Sequence, residues 1–515
     1  MDKKTLLAVA LSALVLIGFQ AFLAPKAPVN GDFATAEEVA KNSENIDTAS
    51  ENPAENQPVQ QPFSYDEARA VTQQKLTTLS TADLTITFNE ISGNILKADI
   101  QHYNGKPINV GFGDGEQDYM IAGTGTSAAF SSKEMSSGDT KTLIFTATQN
   151  DLVVTKKYKI TEGSYLIDAS IEVANIGDRS IELPLSLQIG PGLGEGAEDS
   201  KLIFQGPLMY DGKKVRREKA EKVKSPVTYE NPEWIGYTST YFIFAALGGN
   251  FSEGIIQKSG DSAVIKEIEK VVVNPSSKYT KDYKLFVGPK KYTLLKSVGY
   301  KLSKSIDFGY FSFLAIPFLD MLNFFYKYVH NYGFAIILLT LVVKLVTFPL
   351  TQKSMVSMKR MQLLQPKMAE LKEKYGSDKQ KLNQAVMEMY KKEKVNPFGG
   401  CLPIIIQIPV FFALYKTLLV SIELKDSPFI FYITDLSVKD PYYITPILMG
   451  VTMFIQQRLS PQTGDPVQQK VFMFMPVIFT FLFLQFQSGL VLYWLTNNVL
   501  SIAQQYFINK KNNLR

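Results

Sequence analysis

One lysine interrupts a long apolar stretch in the second half of the chain. The stretch covers residues 333–350, reads GFAIILLTLVVKLVTFPL, and contains Lys344 as its single charged residue. A helix of that length, rising about 1.5 Å per residue, crosses the hydrocarbon core of a bilayer. A cation at such depth costs roughly 2.5–3.5 kcal/mol, so it usually faces a hydrated cavity or a bundle interior. Snorkelling of Lys344 to the nearer interface is the alternative.

Further apolar segments follow this stretch, and charge fixes their predicted orientation. Segment 352–400 carries eleven Lys and Arg against five Asp and Glu, whereas loop 423–440 carries two Lys against four acids. The excess of positive charge predicts that 352–400 and the tail 509–515 are cytoplasmic. Five core spans are predicted within 333–508, at 333–350, 402–422, 441–457, 471–487 and 488–508.

The first 65 residues predict a membrane anchor followed by a tether. Lys3 and Lys4 precede an uncharged apolar run that ends near Ala24. A cleaved signal peptide is the alternative, but the run is long and no clear A-x-A site follows it. We therefore expect an uncleaved anchor at 1–24 with a cytoplasmic N-terminus. Residues 25–65 are rich in Ala, Asn, Glu, Pro and Gln and predict a disordered tether.

Residues 66–300 predict an antiparallel β-sandwich. Many segments alternate apolar and polar residues, and turn residues such as Asn104-Gly105 and Asp211-Gly212 separate them. Strands without alternating helices favour packed antiparallel sheets. The predicted strands begin at Leu84, Thr142, Leu152, Tyr165, Ile181, Tyr241, Ala263 and Lys281.

Residues 308–332 predict an amphipathic helix lying in the membrane interface. Asp320, Asn323, Lys327 and His330 follow one another at spacings of three, four and three, which places them on one face. His330 is therefore interpreted as an interfacial polar residue rather than a ligand.

Polar side chains recur at helical spacing inside the core spans. They are Thr340, Lys344 and Thr347 on the first span, Gln407 on the second, and Tyr493, Asn497, Ser501 and Gln504 on the last. Such stripes favour a shared hydrated concavity, with polar contacts between helices as the alternative. The five spans contain no Asp or Glu, although cation-coupled transporters usually depend on intramembrane carboxylates.

The cytoplasmic segment 352–400 predicts a helical hairpin. Gly376 ends the first helix, and Ser377 with Gln380 forms a capping-box pattern at the start of the second. Methionine surfaces adapt to varied apolar partners, and an intramolecular core is the alternative for about half of these residues. The surplus of lysine suits anionic lipid headgroups. The methionines are Met355, Met358, Met361 and Met368 on the first helix, and Met387 and Met389 on the second.

Residue counts exclude several classes of function. Cys401 is the single cysteine, and His102 and His330 are the two histidines, so disulfides, metal clusters and Ser-His-Asp catalysis are not expected. The net charge of +5 is too small to suggest nucleic acid as a partner. The sequence has no G-x-x-x-x-G-K-[ST] motif, so neither a nucleotide nor another cofactor is expected.

Four segments of the C-terminal half closely resemble the YidC-type membrane protein insertases. They begin at Phe348 (PLTQKSMVSMKRMQLLQPKM), Asn396 (PFGGCLPIIIQIPVFFALY), Asp435 (LSVKDPYYITPILMGVTM) and Ser488 (GLVLYWLTNN). The resemblance extends over residues 300–508. The anchor, the tether and the β domain, which ends in Gly288-Pro289-Lys290, resemble the Gram-negative subtype.

The resemblance implies roles for particular residues. Lys344 matches a groove cation that is usually Arg, so the charge is kept but the guanidinium fork is lost. Thr340, Tyr493 and Trp494 match groove or substrate-contact positions, and Trp494 replaces an aromatic that is often Tyr. Segment 352–400 matches a flexible cytoplasmic loop, and the β domain resembles sugar-binding supersandwiches without a visible sugar site.

The sequence therefore predicts a multi-pass α-helical membrane protein, with an N-terminal anchor, a five-helix core and a periplasmic all-β sandwich domain. The resemblance implies a non-enzymatic, monomeric insertase of the bacterial inner membrane. The partners it implies are nascent inner-membrane proteins, ribosome–nascent chain complexes, the Sec translocon and membrane lipids. The alternatives are a polytopic transporter or channel, and a periplasmic carbohydrate-binding protein with a membrane base.

Overall fold

The computed structural model describes residues 75–513 with short gaps. The predicted anchor at 1–24 and the predicted tether at 25–65 lie outside the described residues. Within the described part of the chain, strands extend to Pro289 and helices follow. The gaps are residues 104–105, 113–117, 126–127, 195–202, 377, 394, 396–401 and 461–465.

The β domain is a sandwich of two antiparallel nine-stranded sheets, as the sequence predicts. All eight predicted strands coincide with observed strands, and Asp211-Gly212 forms the turn between β11 and β12. The described strands are β1 Leu76–Ser80, β2 Leu84–Asn89, β3 Asn94–Tyr103, β4 Lys106–Phe112, β5 Met120–Gly123, β6 Ser131–Ser137, β7 Thr140–Gln149, β8 Leu152–Thr161, β9 Leu166–Asn175, β10 Ile181–Ile189, β11 Gly206–Tyr210, β12 Val215–Arg217, β13 Val227–Glu230, β14 Trp234–Thr238, β15 Phe242–Leu247, β16 Glu253–Ser259, β17 Ser262–Val273 and β18 Lys278–Pro289.

Strand alternation places the core between the two sheets. The first sheet has the order β1-β2-β3-β5-β10-β17-β16-β13, with β4 beside β3. The second has the order β12-β11-β14-β15-β18-β9-β8-β7-β6. Along β9, Ile167, Ala169, Ile171 and Val173 are buried and alternate with more exposed residues, because successive side chains point to opposite faces.

A buried polar cluster holds the turn between β2 and β3. Lys156 Nζ donates to the carbonyl of Ser92 at 2.7 Å and to Asn94 Oδ1 at 2.7 Å. The carboxylate of Asp118 accepts from Ser92 Oγ at 2.7 Å and from Asn94 Nδ2 at 2.9 Å. Burial lowers the pKa of Lys156 to about 7, although Asp118 opposes that shift.

The helical half contains nine α-helices within the described residues, and each of the five predicted core spans overlaps one of them. By length and hydropathy, α3 is the one described helix that qualifies as a membrane span, and shorter apolar segments cover Ile405–Val420 and Met473–Phe483. The helices are α1 Tyr292–Val298, α2 Ser312–Val329, α3 Tyr332–Leu363, α4 Gln365–Tyr375, α5 Lys379–Lys392, α6 Leu402–Val420, α7 Ile444–Leu459, α8 Pro466–Phe483 and α9 Ser488–Asn513.

The start of the predicted cytoplasmic hairpin needs correction. Residues 352–363 continue α3 instead of forming a separate helix, because they contain good helix formers and neither Gly nor Pro. The helix ends at Leu363, just before Pro366 enters the first turn of α4. The hairpin itself is α4 packed against α5, with Lys367 Nζ 2.6 Å from Glu393 Oε1.

The predicted cap of the second hairpin helix is also wrong by one residue. Asp378 caps α5, and its carboxylate accepts from the backbone N–H groups of Gln380 and Lys381 at 3.1 Å each. Ser377 lies outside the described residues. A carboxylate caps a helix as well as a hydroxyl does, which is why Asp378 can occupy this position.

The predicted amphipathic helix corresponds to α2. Its buried side contains Phe318, Leu319 and Leu322, whereas Asp320 and Lys327 are exposed. His330 is the C-terminal cap and has a left-handed backbone.

The β domain contacts two connecting segments of the helical half. Tyr103 OH donates to the carbonyl of Ile422 at 2.9 Å, and Ile422 is buried against the sandwich core. Lys304 Nζ, just after α1, donates to Tyr210 OH at 2.7 Å. The first contact connects the sandwich to the loop that follows α6, and the second connects it to the segment between α1 and α2.

Candidate functional site

Lys344 connects the first and last helices of the five-helix core. Its Nζ donates to Ser501 Oγ at 2.6 Å, and Ser501 Oγ donates to the carbonyl of Asn497 at 2.6 Å. Lys344 is half-buried and Ser501 is buried. The polar stripes predicted on α3 and α9 therefore face each other.

A second polar contact attaches α6 to α9. Gln407 Nε2 donates to Tyr493 OH at 2.7 Å. Tyr493 is buried, with 2% of its surface exposed, so this amide satisfies a hydroxyl that has little access to water. Because Tyr493, Asn497 and Ser501 follow one another at four-residue spacing, α9 presents one polar face to both α3 and α6.

The two threonines of the α3 stripe are satisfied within their own helix. Thr340 Oγ1 donates to the carbonyl of Ile336 at 2.6 Å, and Thr347 Oγ1 donates to the carbonyl of Val343 at 2.9 Å. Thr340 is buried and Thr347 is half-buried. They share the face of Lys344, but their hydroxyl protons are already used.

Trp494 lies on a different side of α9 from Tyr493. Its ring centroid is 4.9 Å from that of Phe411, 5.1 Å from Phe483 and 5.9 Å from Phe479. The tryptophan is half-buried in this aromatic cluster. It therefore packs α9 against α6 and α8, and it is not part of the contacts made by Lys344.

A row of polar contacts that was not predicted from the sequence joins α9 to α7. Asn498 Nδ2 donates to the carbonyl of Met449 at 3.3 Å, and Gln505 Nε2 donates to the carbonyl of Leu459 at 2.6 Å. Both residues are buried. Their spacing of seven, two helical turns, was the sequence pattern that could have identified them.

Gln504 belongs to the predicted polar stripe and is buried without a partner. Its side chain is 5% exposed, and neither Nε2 nor Oε1 has a hydrogen-bond partner among the described residues. A buried amide in that state is costly, so the position is suited to water or to an incoming polar group.

The charge of Lys344 is not compensated within the described part of the chain, where none of the ion pairs includes it. The neighbouring groups are hydroxyls, carbonyls and amides. Such a site can hydrogen-bond and attract negative charge, but it lacks a nucleophile paired with a base. Across the described residues, no group of three or more His, Cys, Asp or Glu could hold a metal ion.

The methionines that the sequence predicts on the cytoplasmic hairpin are divided among three helices. Met355, Met358 and Met361 are half-buried on the extension of α3, and Met368 is half-buried on α4. Met368 Sδ lies 3.5 Å from Tyr390 OH of α5. Met387 on α5 is 58% exposed. The predicted single stripe on the first helix is therefore interrupted at Leu364.

Two protein-family models match adjoining parts of the chain. One is described as the 60Kd inner membrane protein and matches residues 324–515. The other is described as the YidC periplasmic domain and matches residues 76–321. Their boundary falls within α2, between the sandwich and the five-helix core.

Curated relatives match over nearly the full length. The membrane protein insertase YidC of Syntrophus aciditrophicus (strain SB) is 40% identical over 99% of this chain and 100% of its own length. The protein of that name from Geotalea daltonii is 40% identical over 99% of each chain. A crystal structure of an active YidC insertase is 19% identical over 85% of this chain and 93% of its own, with a TM-score of 0.38. On the sequence matches, this chain belongs to the family of YidC membrane protein insertases, which are inner-membrane proteins with a periplasmic domain.

Proposed function

We propose that this chain inserts nascent inner-membrane proteins through a hydrated groove between α3, α6 and α9. The observation that carries the proposal is the hydrogen bond from Lys344 to Ser501, made by a lysine without a carboxylate partner in the described chain. Intramembrane cations of this kind usually mark a working site. The polar surface is extended by Gln407, Tyr493 and Asn497 and is lined by Thr340 and Thr347. On the other side of α9, Trp494 supports the helix.

The groove lowers the cost of moving polar peptide into the membrane. An unsatisfied backbone group in hydrocarbon costs several kcal/mol, and donors such as Lys344 and Gln504 reduce that cost. A translocated segment that carries acidic residues gains further from the positive charge. The apolar segment of the client then leaves sideways into lipid, and burial of its apolar surface drives the step.

The orientation follows from the charges of the loops. The N- and C-termini and the hairpin, α4 and α5, are cytoplasmic, and the sandwich is periplasmic. The hairpin with its methionines receives apolar segments from ribosome–nascent chain complexes and contacts anionic lipids. The chain acts as a monomer, alone or beside the Sec translocon, and needs no cofactor.

Site-specific photocrosslinking tests the groove. A crosslinker at position 344 or 493 should capture a ribosome-bound nascent membrane protein. The same crosslinker at Val346, a 76% exposed residue of α3, or at Val499, a 49% exposed residue of α9, provides the matched controls. Capture that is equal or stronger at the control positions would contradict the groove. Substrate flux or ion conductance in reconstituted vesicles would instead favour a transporter or channel.

A further inference from the structure

A turn in the loop between α6 and α7 exposes one phenylalanine almost completely. Phe431 is 95% exposed, and its neighbour Ile430 is 39% exposed. The backbone of Phe431 has φ of +54°, a left-handed conformation that bulky residues rarely adopt. Exposure of a large apolar ring in a disfavoured conformation suggests a contact outside the chain.

The turn is held in place by its own backbone. Phe429 N–H donates to the carbonyl of Ile433 at 3.0 Å, and Ile433 N–H donates to the carbonyl of Ile430 at 3.3 Å. The base is closed by Leu436 N–H, which donates to the carbonyl of Ser427 at 2.9 Å. The position of Phe431 is therefore defined by hydrogen bonds on both sides of it.

The turn is also fastened to the first turn of α3. Asn331 Nδ2 donates to the carbonyl of Phe429 at 2.9 Å. The ring of Phe429 lies so close to Gly333 that a Cβ there would be 2.0 Å from its Cδ2, and the Phe334 ring is 5.3 Å away. Phe431 thus lies at the level where the apolar helix α3 begins.

Other exposed aromatic residues surround that level. Tyr328 and Phe324, at the end of α2 just before Asn331, are 70% and 53% exposed, and Phe334 is 44% exposed. Tyr concentrates where membrane spans meet the headgroup region, and Phe is common on apolar surfaces buried at the boundary between headgroups and acyl chains. Residues 427–434 carry no charge, which suits lipid better than a charged protein surface.

We propose that Phe431 and Ile430 insert into the membrane boundary beside α3 and fix the depth of that helix. Lys344 is thirteen residues beyond Asn331, so the anchor lies about 20 Å along the helix from the lysine. The turn therefore sets how deep the lysine lies. The leaflet concerned is the outer one, and this assignment rests on the proposed orientation. Insertion of the turn into the membrane does not depend on the proposed groove.

Spin labels in lipid nanodiscs test this proposal. In a Cys401→Ser background, Phe431→Cys carries the label, and collisions with oxygen and with water-soluble nickel-EDDA are compared. Met135→Cys on β6, 49% exposed, is the aqueous control, and Phe481→Cys on α8, 70% exposed, is the lipid control. We expect the ratio of oxygen to nickel accessibility at 431 to exceed that at 135 several-fold and to approach that at 481.

Two results would overturn the proposal. A ratio at 431 equal to that at 135 would place the turn in water. Low accessibility to both reagents would show that protein, such as a second copy or another partner, covers the turn. Ile430→Cys carries the label at a second position on the same turn. If the Phe431→Cys chain is perturbed, the accessibility ratio at 430 decides between the same outcomes.

Discussion

Replacing Lys344 by alanine separates the electrostatic role of the lysine from its structural role. In the wild-type chain, Ser501 Oγ accepts from Lys344 Nζ and donates to the carbonyl of Asn497. Alanine removes the first bond and keeps the second, so the buried hydroxyl keeps a partner for its proton. The substitution also removes a membrane cost of roughly 2.5–3.5 kcal/mol for the lysine. We therefore expect the five-helix core to remain folded.

The expected loss is in insertion of acidic clients. A carboxylate 4 Å from the ammonium gains about 1 kcal/mol in bulk water and about 4 kcal/mol at an effective dielectric constant of 20. A hydrated groove lies between these limits. At the lower limit, Lys344→Ala should reduce insertion of a client with an acidic translocated segment by about fivefold. The neutral version of the same client should be affected less.

The assay is protease protection of the two clients in vesicles reconstituted with each variant. Lys344→Arg keeps the charge and should retain insertion. Lys416→Ala is the matched control, because this second lysine of the core lies on α6 with its side chain against Gly309. If Lys344→Ala inserts both clients as well as the wild type does, the electrostatic reasoning is wrong.

Three further outcomes are expected. Deletion of residues 66–289 removes the sandwich together with all of β18 and should leave basic insertion intact; loss of all insertion by a stably expressed chain in a vesicle assay would contradict this. Replacement of residues 370–392 by a short Gly/Ser linker should abolish growth in a complementation test while the core stays folded, and normal growth would make the hairpin a mere connector. The third outcome concerns Lys156, whose pKa of about 7 in the folded state is below its unfolded value of about 10.4. Because the unfolded chain binds more protons between these values, the free energy of unfolding of the sandwich should rise with pH from about 7 to 10, by up to about 1.4 kcal/mol per pH unit. Calorimetry of the detergent-solubilised chain should show a flatter dependence for Lys156→Met, and equal slopes would refute the assignment.

The sequence predicted the elements better than their ends. Period-two alternation located the strands, and apolar runs located the helices of the core. The span predicted to start at 441 begins as a helix only at Ile444, because Asp440 holds the preceding turn: its carboxylate accepts from Tyr442 N–H at 2.9 Å and Thr445 N–H at 2.8 Å. Hydropathy measures which residues suit lipid, whereas local hydrogen bonds decide where a helix begins.

The candidate site was predicted as a set of faces rather than as contacts. Helical spacing shows that Lys344 has a polar neighbour at Thr340, but it does not give the rotation of α3 relative to α9. The partner Ser501 therefore required the structure. The placement of Tyr493 and Trp494 on different sides of α9 could have been anticipated, because adjacent residues of a helix point about 100° apart.

The proline inside α3 has a mechanical consequence. The helix has 32 residues and measures about 48 Å, whereas the hydrocarbon core is about 30 Å thick. Pro349 cannot donate to the carbonyl of Leu345, so the helix bends most easily there. Lys344 and Met355 thus lie on two arms of one hinge. A swing of the arm that carries Met355 can be absorbed at Pro349, so the arm that carries Lys344 keeps its alignment with α9.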